Sequence, residues 1–291
     1  MLAQFLQFLF SGVTVGATYA LAALGFTLVY NASHVINFAQ GEFIMLGGML
    51  TVFFLASGLP MPLAVALAIL IPAAVGVLLE RFAIEPAKNA DVVALIIITI
   101  GASLVIRGVV QIWLGKGTHT LPPFSGDTPI DLFGATLRPQ MLWVLGVTAA
   151  VVASLWYFFS RTLAGKSILA TSYNPLAARL VGIDTSWVLF VSYALAGALG
   201  AIGGILITPI TLTSYDAGIM IGLKGFVAAV VGGLGSGLGA VVGGLFVGIV
   251  EAMAAGYLSS AYKDAVPFVL ILLILFFRPR GLFGGKLTER V

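Results

Sequence analysis

Long apolar stretches dominate the pattern of hydrophobic and polar positions along this chain. Four runs contain no Asp, Glu, Lys or Arg, and they cover residues 1–41, 43–79, 139–160 and 225–250. Each run exceeds the roughly 20 residues that a helix needs to cross the hydrocarbon core of a membrane. The pattern therefore predicts an all-α, polytopic bundle of transmembrane helices.

Polar, proline-rich and glycine-rich breaks mark the ends of the individual segments. They predict apolar segments at 5–30, 42–57, 61–79, 92–115, 141–160, 187–208, 223–256 and 264–277. We treat residues 1–291 as one transmembrane domain of about eight spans plus a short broken or re-entrant helix. Within this domain, residues 161–186 form the longest loop on the predicted cytoplasmic side.

The segment 223–256 is too long to be one straight span. As a continuous helix it would be about 51 Å long, whereas the hydrocarbon core is about 30 Å thick. We predict a short helix near 223–232, a glycine turn, and a full helix from about 238 to 256. The residues assigned to the break are Gly232, Gly233, Gly235 and Gly237. Broken helices commonly line substrate routes in transporters.

A second interruption is the polar stretch 31–42, which separates two apolar runs. One alternative is a surface loop or an interfacial helix. The other is a broken helix that brings Asn37, Gln40 and Glu42 towards a pathway through the bundle. The sequence leaves both alternatives open.

Ionisable residues inside apolar segments are costly to bury unless they are paired or hydrated. Lys224 and Glu251 are therefore further candidate pathway residues, and Arg107 is a third ionisable group near the membrane. Each also has an ordinary interfacial interpretation. Arg107 could extend towards the external surface, Lys224 could anchor the start of the short helix, and Glu251 lies near a span end.

Basic residues orient the predicted spans, because they concentrate on the cytoplasmic side. Nine of the 14 lysines and arginines fall in loop 80–91, loop 161–186 and the C-terminal tail, namely Arg81, Lys88, Arg161, Lys166, Arg179, Arg278, Arg280, Lys286 and Arg290. The proline-rich loop 116–140 is therefore predicted to be external. The first 80 residues contain neither Lys nor Arg, so the side of the N-terminus stays open.

Glycines are numerous, at 36, and several are four residues apart within the predicted spans. Such spacing allows two helix backbones to approach closely. The pairs are Gly12 and Gly16, Gly200 and Gly204, Gly239 and Gly243, and Gly244 and Gly248. They indicate either packing within the chain or an interface between subunits.

The loop 161–186 is predicted to contain a short helix at 175–181. Asn174 suits the N-cap, Pro175 suits the first helical position, and Gly182 suits the residue after the end. A capped helix between two spans is well placed to bind a cytoplasmic partner.

Composition and motifs exclude several classes of function. With 60% hydrophobic and 9% charged residues, the chain is not an ordinary soluble domain. It has no cysteine and only two histidines, so it cannot build a thiolate site or a histidine metal cluster. Lys166 and Ser167 resemble the end of a phosphate-binding loop, but Ser160 replaces its first glycine. We expect no nucleic-acid partner, and no cleavable signal peptide, since no basic region precedes the long first apolar run.

Five stretches together resemble the permease subunits of branched-chain amino acid ABC importers, of the shorter of the two permease types. They are residues 12–21, the motif Ile36-Asn-Phe-Ala-Gln-Gly-Glu42, and residues 161–182, 224–236 and 278–284. The resemblance covers the whole chain. Gln40 occupies a position where many relatives have His, which is a familiar variation in the family.

The resemblance implies a multi-pass permease in the inner membrane of a bacterium. Its implied partners are a second homologous permease, two cytoplasmic ATPases that bind ATP and Mg²⁺, and an external substrate-binding protein. The chain itself would hold no cofactor and would not be an enzyme. The resemblance assigns coupling to the ATPase to Arg161, Gly165, Asn174, Ala178, Arg179 and Gly182.

The solute is less well defined, because family members also carry urea, short amides and other acids. Pathway walls of Ala, Gly, Val and Phe with few charges suit a small, partly apolar, net-neutral solute. One alternative is a stand-alone channel or ion-coupled carrier for a neutral solute such as urea or an amide, and another is an intramembrane enzyme. A carrier would need a paired acid inside the membrane, and no span centre clearly supplies one. An enzyme would need a nucleophile–base pair or metal ligands, and neither is visible.

Overall fold

The computed structural model describes residues 2–132 and 134–284, and these residues are mostly helical. Their α-helices are α1 Leu2–Ser33, α2 Gln40–Ala56, α3 Met61–Leu79, α4 Val92–Leu114, α5 Pro139–Arg161, α6 Leu163–Tyr173, α7 Pro175–Leu180, α8 Thr185–Thr211, α9 Ala217–Gly232, α10 Gly237–Tyr257 and α11 Val266–Phe277. A π-helical turn, Glu80–Ile84, continues α3. The strands β1 Ile130–Leu132 and β2 Ala135–Leu137 form a small antiparallel hairpin.

Among residues 2–132 and 134–284, six helical segments are long and apolar enough to cross a membrane, namely Leu2–Ser33, Met61–Ile84, Val92–Leu114, Pro139–Arg161, Thr185–Thr211 and Gly237–Tyr257. The helices α2, α9 and α11 are apolar but shorter. The predicted class, an all-α polytopic helical bundle, is confirmed.

Helix α1 lies at the centre of the bundle and packs against α5, α8, α9 and α10. Its closest neighbour is α10, because glycines on both helices remove the side chains between them. A Cβ on Gly12 would lie 2.7 Å from Ile249 Cα, and one on Gly16 would lie 2.9 Å from Gly244 O. On α10, a Cβ on Gly248 would overlap the backbone of Gly16. These glycines therefore pack within the chain.

Contacts between loops show which helix ends share a side of the bundle. The Gln7 side chain pairs with the Thr136 backbone, donating to its O at 3.2 Å and accepting from its N at 2.8 Å. The N-terminal end of α1 therefore lies beside the β1–β2 hairpin. Since that hairpin belongs to the loop predicted to be external, the N-terminus is placed on the same side. At the opposite end of α1, Asn31 Nδ2 donates to Gly235 O at 3.0 Å.

The break predicted within 223–256 is present between α9 and α10. The irregular residues are 233–236, in which Gly233 and Gly235 have φ angles of 108° and 91°. Residues with a side chain rarely adopt such angles, whereas glycine adopts them readily. Gly232 and Gly237 are the last residue of α9 and the first of α10, so they flank the turn. Helix α9 begins at Ala217, earlier than the predicted start near 223. The tail residues Lys286 and Arg290 lie outside the described residues.

Candidate functional site

The polar stretch between α1 and α2 enters the interior of the bundle. Asn37 and Gln40 are fully buried, and Glu42 is 1% exposed. Asn37 Oδ1 accepts from Ala39 N at 3.0 Å, and Gln40 Nε2 donates to Ala196 O of α8 at 3.0 Å. The surface-loop alternative is therefore wrong for these three residues. Helix α2 starts at a break inside the protein.

Glu42 forms an ion pair with Arg107 of α4. Glu42 Oε1 accepts from Arg107 Nη2 and also from Ser103 Oγ at 2.8 Å, while Arg107 Nη2 lies 3.3 Å from Ser103 Oγ. Arg107 therefore turns towards the bundle, and its interfacial interpretation is corrected. Ser103 was not predicted from the sequence as a site residue, although it lies one helical turn before Arg107 and therefore shares the same face of α4.

A second buried ion pair joins α9 to α10. Lys224 Nζ lies 2.6 Å from Glu251 Oε1 and 2.5 Å from Asp264 Oδ1, and Tyr19 OH of α1 donates to Glu251 Oε2 at 2.9 Å. Lys224 and Glu251 are both buried, whereas the Asp264 side chain is half exposed in the loop after α10. Lys224 and Glu251 are therefore paired with each other next to the loop after α10, which is compatible with their interfacial interpretations.

Asp264 is the member of this cluster that lies outside the spans. The hydrogen bond from the Lys224 ammonium holds the pKa of Asp264 below its usual range, against the opposite effect of partial burial. Nearby positive charges on Lys224 and Lys263 act in the same direction as the hydrogen bond. No motif in the sequence marks Asp264, which lies 40 residues from Lys224.

These two clusters bear on the argument against an ion-coupled carrier. The sequence predicted that no span centre clearly supplies a paired acid, whereas the structure has two buried acids with cationic partners, Glu42 in the first turn of α2 and Glu251 towards the end of α10. The pairing became visible only in three dimensions, since Glu42 and Arg107 are 65 residues apart. The lack of a paired acid therefore cannot be used as an argument against an ion-coupled carrier.

A cavity of about 150 Å³ borders the Glu42–Arg107 pair. Its polar wall contains Glu42, Ser103 and Arg107. Its remaining walls are apolar side chains and glycines from α1, α2, α4 and α9 together with Phe38, namely Phe26, Phe38, Gly41, Ile100, Gly218, Ile219, Gly222 and Leu223. The cavity combines opposite charges with an aliphatic and aromatic lining.

The loop after α5 folds into two short helices on the side opposite the β1–β2 hairpin. Thr162 Oγ1 accepts from Gly165 N at 3.0 Å and caps α6. Asn174 Oδ1 accepts from Ala177 N at 3.0 Å and caps α7, as predicted, and Gly182 after α7 has a φ angle of 87°. Helix α6 was not predicted, although its threonine cap is a recognisable signal.

Some residues assigned to direct coupling face inward. Ala178 is 3% exposed, and a Cβ on Gly165 would collide with the backbone of α5 at Phe158 and Phe159. Both residues fix the position of the loop on the bundle, and their assignment to coupling stays a prediction. Asn174 acts as the cap of α7. Arg179 Nε donates to Thr185 Oγ1 at 2.8 Å.

The outer face of this loop is apolar. Helices α6 and α7 and the residue after them expose six large hydrophobic side chains, namely Leu163, Leu169, Tyr173, Leu176, Leu180 and Val181. Beside them lies a polar groove of about 670 Å³ between two segments, residues 84–89 and 179–189. Arg179 and Gly182 line this groove, and Arg161 is exposed at the end of α5. The two loops predicted to be cytoplasmic therefore form one continuous surface.

Comparison with known families gives a match along most of the chain. Residues 8–275 match the family model described as branched-chain amino acid transport system / permease component.

Individual relatives match over nearly their full length. The high-affinity branched-chain amino acid transport system permease protein LivH of Escherichia coli is 35% identical over 304 residues, which cover 99% of this chain and 98% of LivH. The corresponding protein BraD of Pseudomonas aeruginosa is 33% identical with the same coverage. The ribose import permease protein RbsC of Escherichia coli is 28% identical over 194 residues, covering 64% of this chain and 56% of RbsC.

A solved structure has a similar fold. The structure titled PsaBC from Streptococcus pneumoniae in complex with Fab matches with a TM-score of 0.53 at 14% identity, covering 96% of this chain and 97% of the matched chain. At this identity the similarity concerns the fold alone.

Proposed function

Because the chain belongs to the family of branched-chain amino acid transport system permease components, we propose that it is the membrane-spanning subunit of an ATP-driven ABC importer. Its solutes would be branched-chain or related small, partly apolar amino acids. The observation that carries this proposal is the 35% identity to LivH over 99% of the chain. A similarity of that extent includes both broken-helix regions and the loop 161–186.

The proposal includes partner subunits. An importer of this kind needs ATPases, and this chain contains no complete phosphate-binding loop in its sequence. We propose that two cytoplasmic ATPases supply ATP hydrolysis, with their own ATP and Mg²⁺, and that a second homologous permease completes the membrane part. An external substrate-binding protein would deliver the solute. The assembly would lie in the inner membrane of a bacterium.

The surface formed by α6 and α7 is the proposed docking site for one ATPase. Exposed clusters of large apolar residues on the water-facing side of a membrane protein are typical of contacts with a partner. Leu176, Leu180 and Val181 project from α7, while Ala178 anchors the same helix to the bundle. Thr162, Asn174 and Asp184 cap α6, α7 and α8, so the loop has a defined shape. Such a rigid element can transmit a movement of the ATPase to the spans.

The proposed translocation path runs through the broken-helix region. Asn37, Gln40 and Glu42 are held in the interior where α2 begins, and Lys224 and Glu251 lie on the neighbouring helices α9 and α10. Buried ionisable residues of this kind are expected to serve a function, because each is costly to keep inside a membrane. The Gly233–Ser236 turn supports the path from the cytoplasmic side by closing the α9–α10 hairpin.

Uptake in cells tests this function. Deletion of the gene for this chain should abolish high-affinity uptake of radiolabelled L-leucine, and expression of the wild-type chain should restore it. The tagged chain should also co-purify with two ATPase subunits. Unchanged leucine uptake after deletion, or uptake abolished by an ionophore while cellular ATP stays constant, would contradict an ATP-driven importer and favour an ion-coupled carrier.

A further inference from the structure

Two buried polar atoms of residues beside the Glu42–Arg107 cavity have no hydrogen-bond partner among the residues that the structure describes. Glu42 accepts both of its hydrogen bonds through Oε1, and its Oε2 has no partner among the residues that the structure describes. Within the same residues, Arg107 Nε also has no partner. A buried carboxylate oxygen left without a hydrogen bond is costly, so each such atom requires an explanation.

The size of the cavity makes an occupant feasible. A site needs about 10–15 Å³ of this kind of space to hold one water molecule. At about 150 Å³, the cavity beside Glu42 is much larger than a single water requires. It therefore has room for a small organic molecule.

The chemistry of the walls defines the class of molecule. A carboxylate such as Glu42 attracts an ammonium group, and a guanidinium such as Arg107 binds a carboxylate, often through two parallel hydrogen bonds. The opposite wall is formed by aromatic and aliphatic side chains, among them Phe26, Phe38 and Leu223. An aliphatic α-amino acid carries all three complementary features, because it is a zwitterion with an apolar side chain.

The start of α2 forms part of the cavity wall. Helix α2 begins at Gln40, inside the protein, and Gly41 lines the cavity. Gly41 also packs directly on Gly218 and Gly222 of α9, which keeps side chains out of this wall.

We infer that the Glu42–Arg107 cavity is a binding site for a zwitterionic aliphatic amino acid on its way through the permease. This inference rests on the proposed import of amino acids and adds the location and the chemistry of a solute site. The ammonium group of the solute would bind the Glu42 carboxylate, and the solute carboxylate would bind the Arg107 guanidinium. Because Glu42 Oε2 is buried in the structure, this binding requires the Glu42 side chain to rotate towards the cavity.

Charge removal separates a binding role from a purely structural one. Glu42→Gln and Arg107→Gln each leave one buried charge unpaired, so both are expected to lose uptake for either reason. The double variant Glu42→Gln/Arg107→Gln leaves no buried charge unpaired, so it avoids the large destabilisation that follows when only one partner of a buried ion pair is removed. If the pair binds the solute, uptake of L-leucine by the double variant stays at least about tenfold below wild type, equivalent to losing one charge-assisted contact. The matched control is Asp131→Asn/Arg138→Gln, which removes the same charges from exposed external positions.

The second measurement is the protection of a cysteine in the cavity against thiol labelling when a solute binds there. The chain has no cysteine, so Ile219→Cys introduces a single thiol at the apolar wall. In the purified importer complex without binding protein, L-leucine should slow the labelling of this thiol. Leucinamide, which lacks the carboxylate, and 4-methylvalerate, which lacks the ammonium group, should protect it much less.

Wild-type uptake of the double variant, or equal protection by the three compounds, would overturn the site. Absence of any protection by L-leucine would overturn it as well. The proposed function is judged separately, by uptake of L-leucine into cells with the wild-type chain. Normal uptake by cells with the wild-type chain, combined with either negative result, would rule out the Glu42–Arg107 site but would still support an importer.

Discussion

Gly248 of α10 lies directly against Gly16 of α1, so close that a Cβ on Gly248 would overlap the Cα and N atoms of Gly16. The helix turns around Gly16 and Gly248 therefore touch backbone to backbone. This contact explains why α1, which carries few bulky residues between 12 and 25, can sit at the centre of the protein.

The first prediction concerns this contact. Gly248→Ala should force α1 and α10 apart and destabilise the protein by about 1–3 kcal/mol, which is typical of overpacking. The matched control is Gly146→Ala in α5, where a Cβ would meet nothing within 4 Å. The control should be neutral or stabilising by up to about 1 kcal/mol, since Ala is the better helix former. Thermal unfolding of the purified chain in detergent measures both, and equal midpoints for the two variants would contradict the packing.

The second prediction concerns the pH dependence of stability. Because Lys224 lowers the pKa of Asp264 in the folded protein, the stabilisation from this contact is present above the ordinary Asp pKa and is lost as the pH falls through the lowered value. The melting temperature of the wild type should therefore decrease below about pH 4. Asp264→Asn should show a smaller decrease over the same range, whereas the exposed control Asp127→Asn should keep the wild-type slope. Parallel curves for wild type and Asp264→Asn would contradict the contact.

The third prediction concerns topology. Residues 257–263 should be external and loop 85–91 cytoplasmic, because the α9–α10 break lets the chain enter and return. The absence of native cysteine allows single reporters without background. A membrane-impermeant thiol reagent added to intact cells should label Ser260→Cys and should label Asn89→Cys only after the cells are opened. Labelling of Asn89→Cys in intact cells, with Ser260→Cys protected, would invert the assignment.

The fourth prediction concerns the ATPase contact. Leu180 is 81% exposed on α7, so Leu180→Asp should leave the chain folded while placing a charge in the proposed apolar interface. Co-purification of the ATPases and uptake of L-leucine should both fall at least about tenfold, the effect of losing about 1.4 kcal/mol of binding. Leu258→Asp, at a residue 84% exposed in the loop after α10, is the control and should retain both. Wild-type ATPase binding by Leu180→Asp would show that α7 is not part of the interface.

The sequence was sufficient for features that depend on local patterns. The break at 233–236 followed from segment length and glycine content, and the Asn174 cap of α7 followed from residue types at fixed spacing. Both are short-range features, governed by backbone geometry and by the thickness of a membrane.

Features that depend on contacts distant in the sequence could not be predicted. Glu42 and Arg107 meet across 65 residues, and Lys224 and Asp264 across 40. The resemblance assigned Ala178 to coupling, but Ala178 faces the bundle, because the orientation of the six-residue helix α7 is set by the spans beneath it. The position of the N-terminus beside the β1–β2 hairpin likewise became visible only through the contact of Gln7 with Thr136.

Reconstituted transport tests the central claim most directly. Liposomes containing this chain, the second permease and the two ATPases would be supplied with the binding protein and radiolabelled L-leucine on the external side. The account predicts leucine accumulation that requires ATP on the ATPase side and stops when this chain is left out. Leucine movement through this chain alone, driven by an ion gradient and unaffected by ATP, would contradict it.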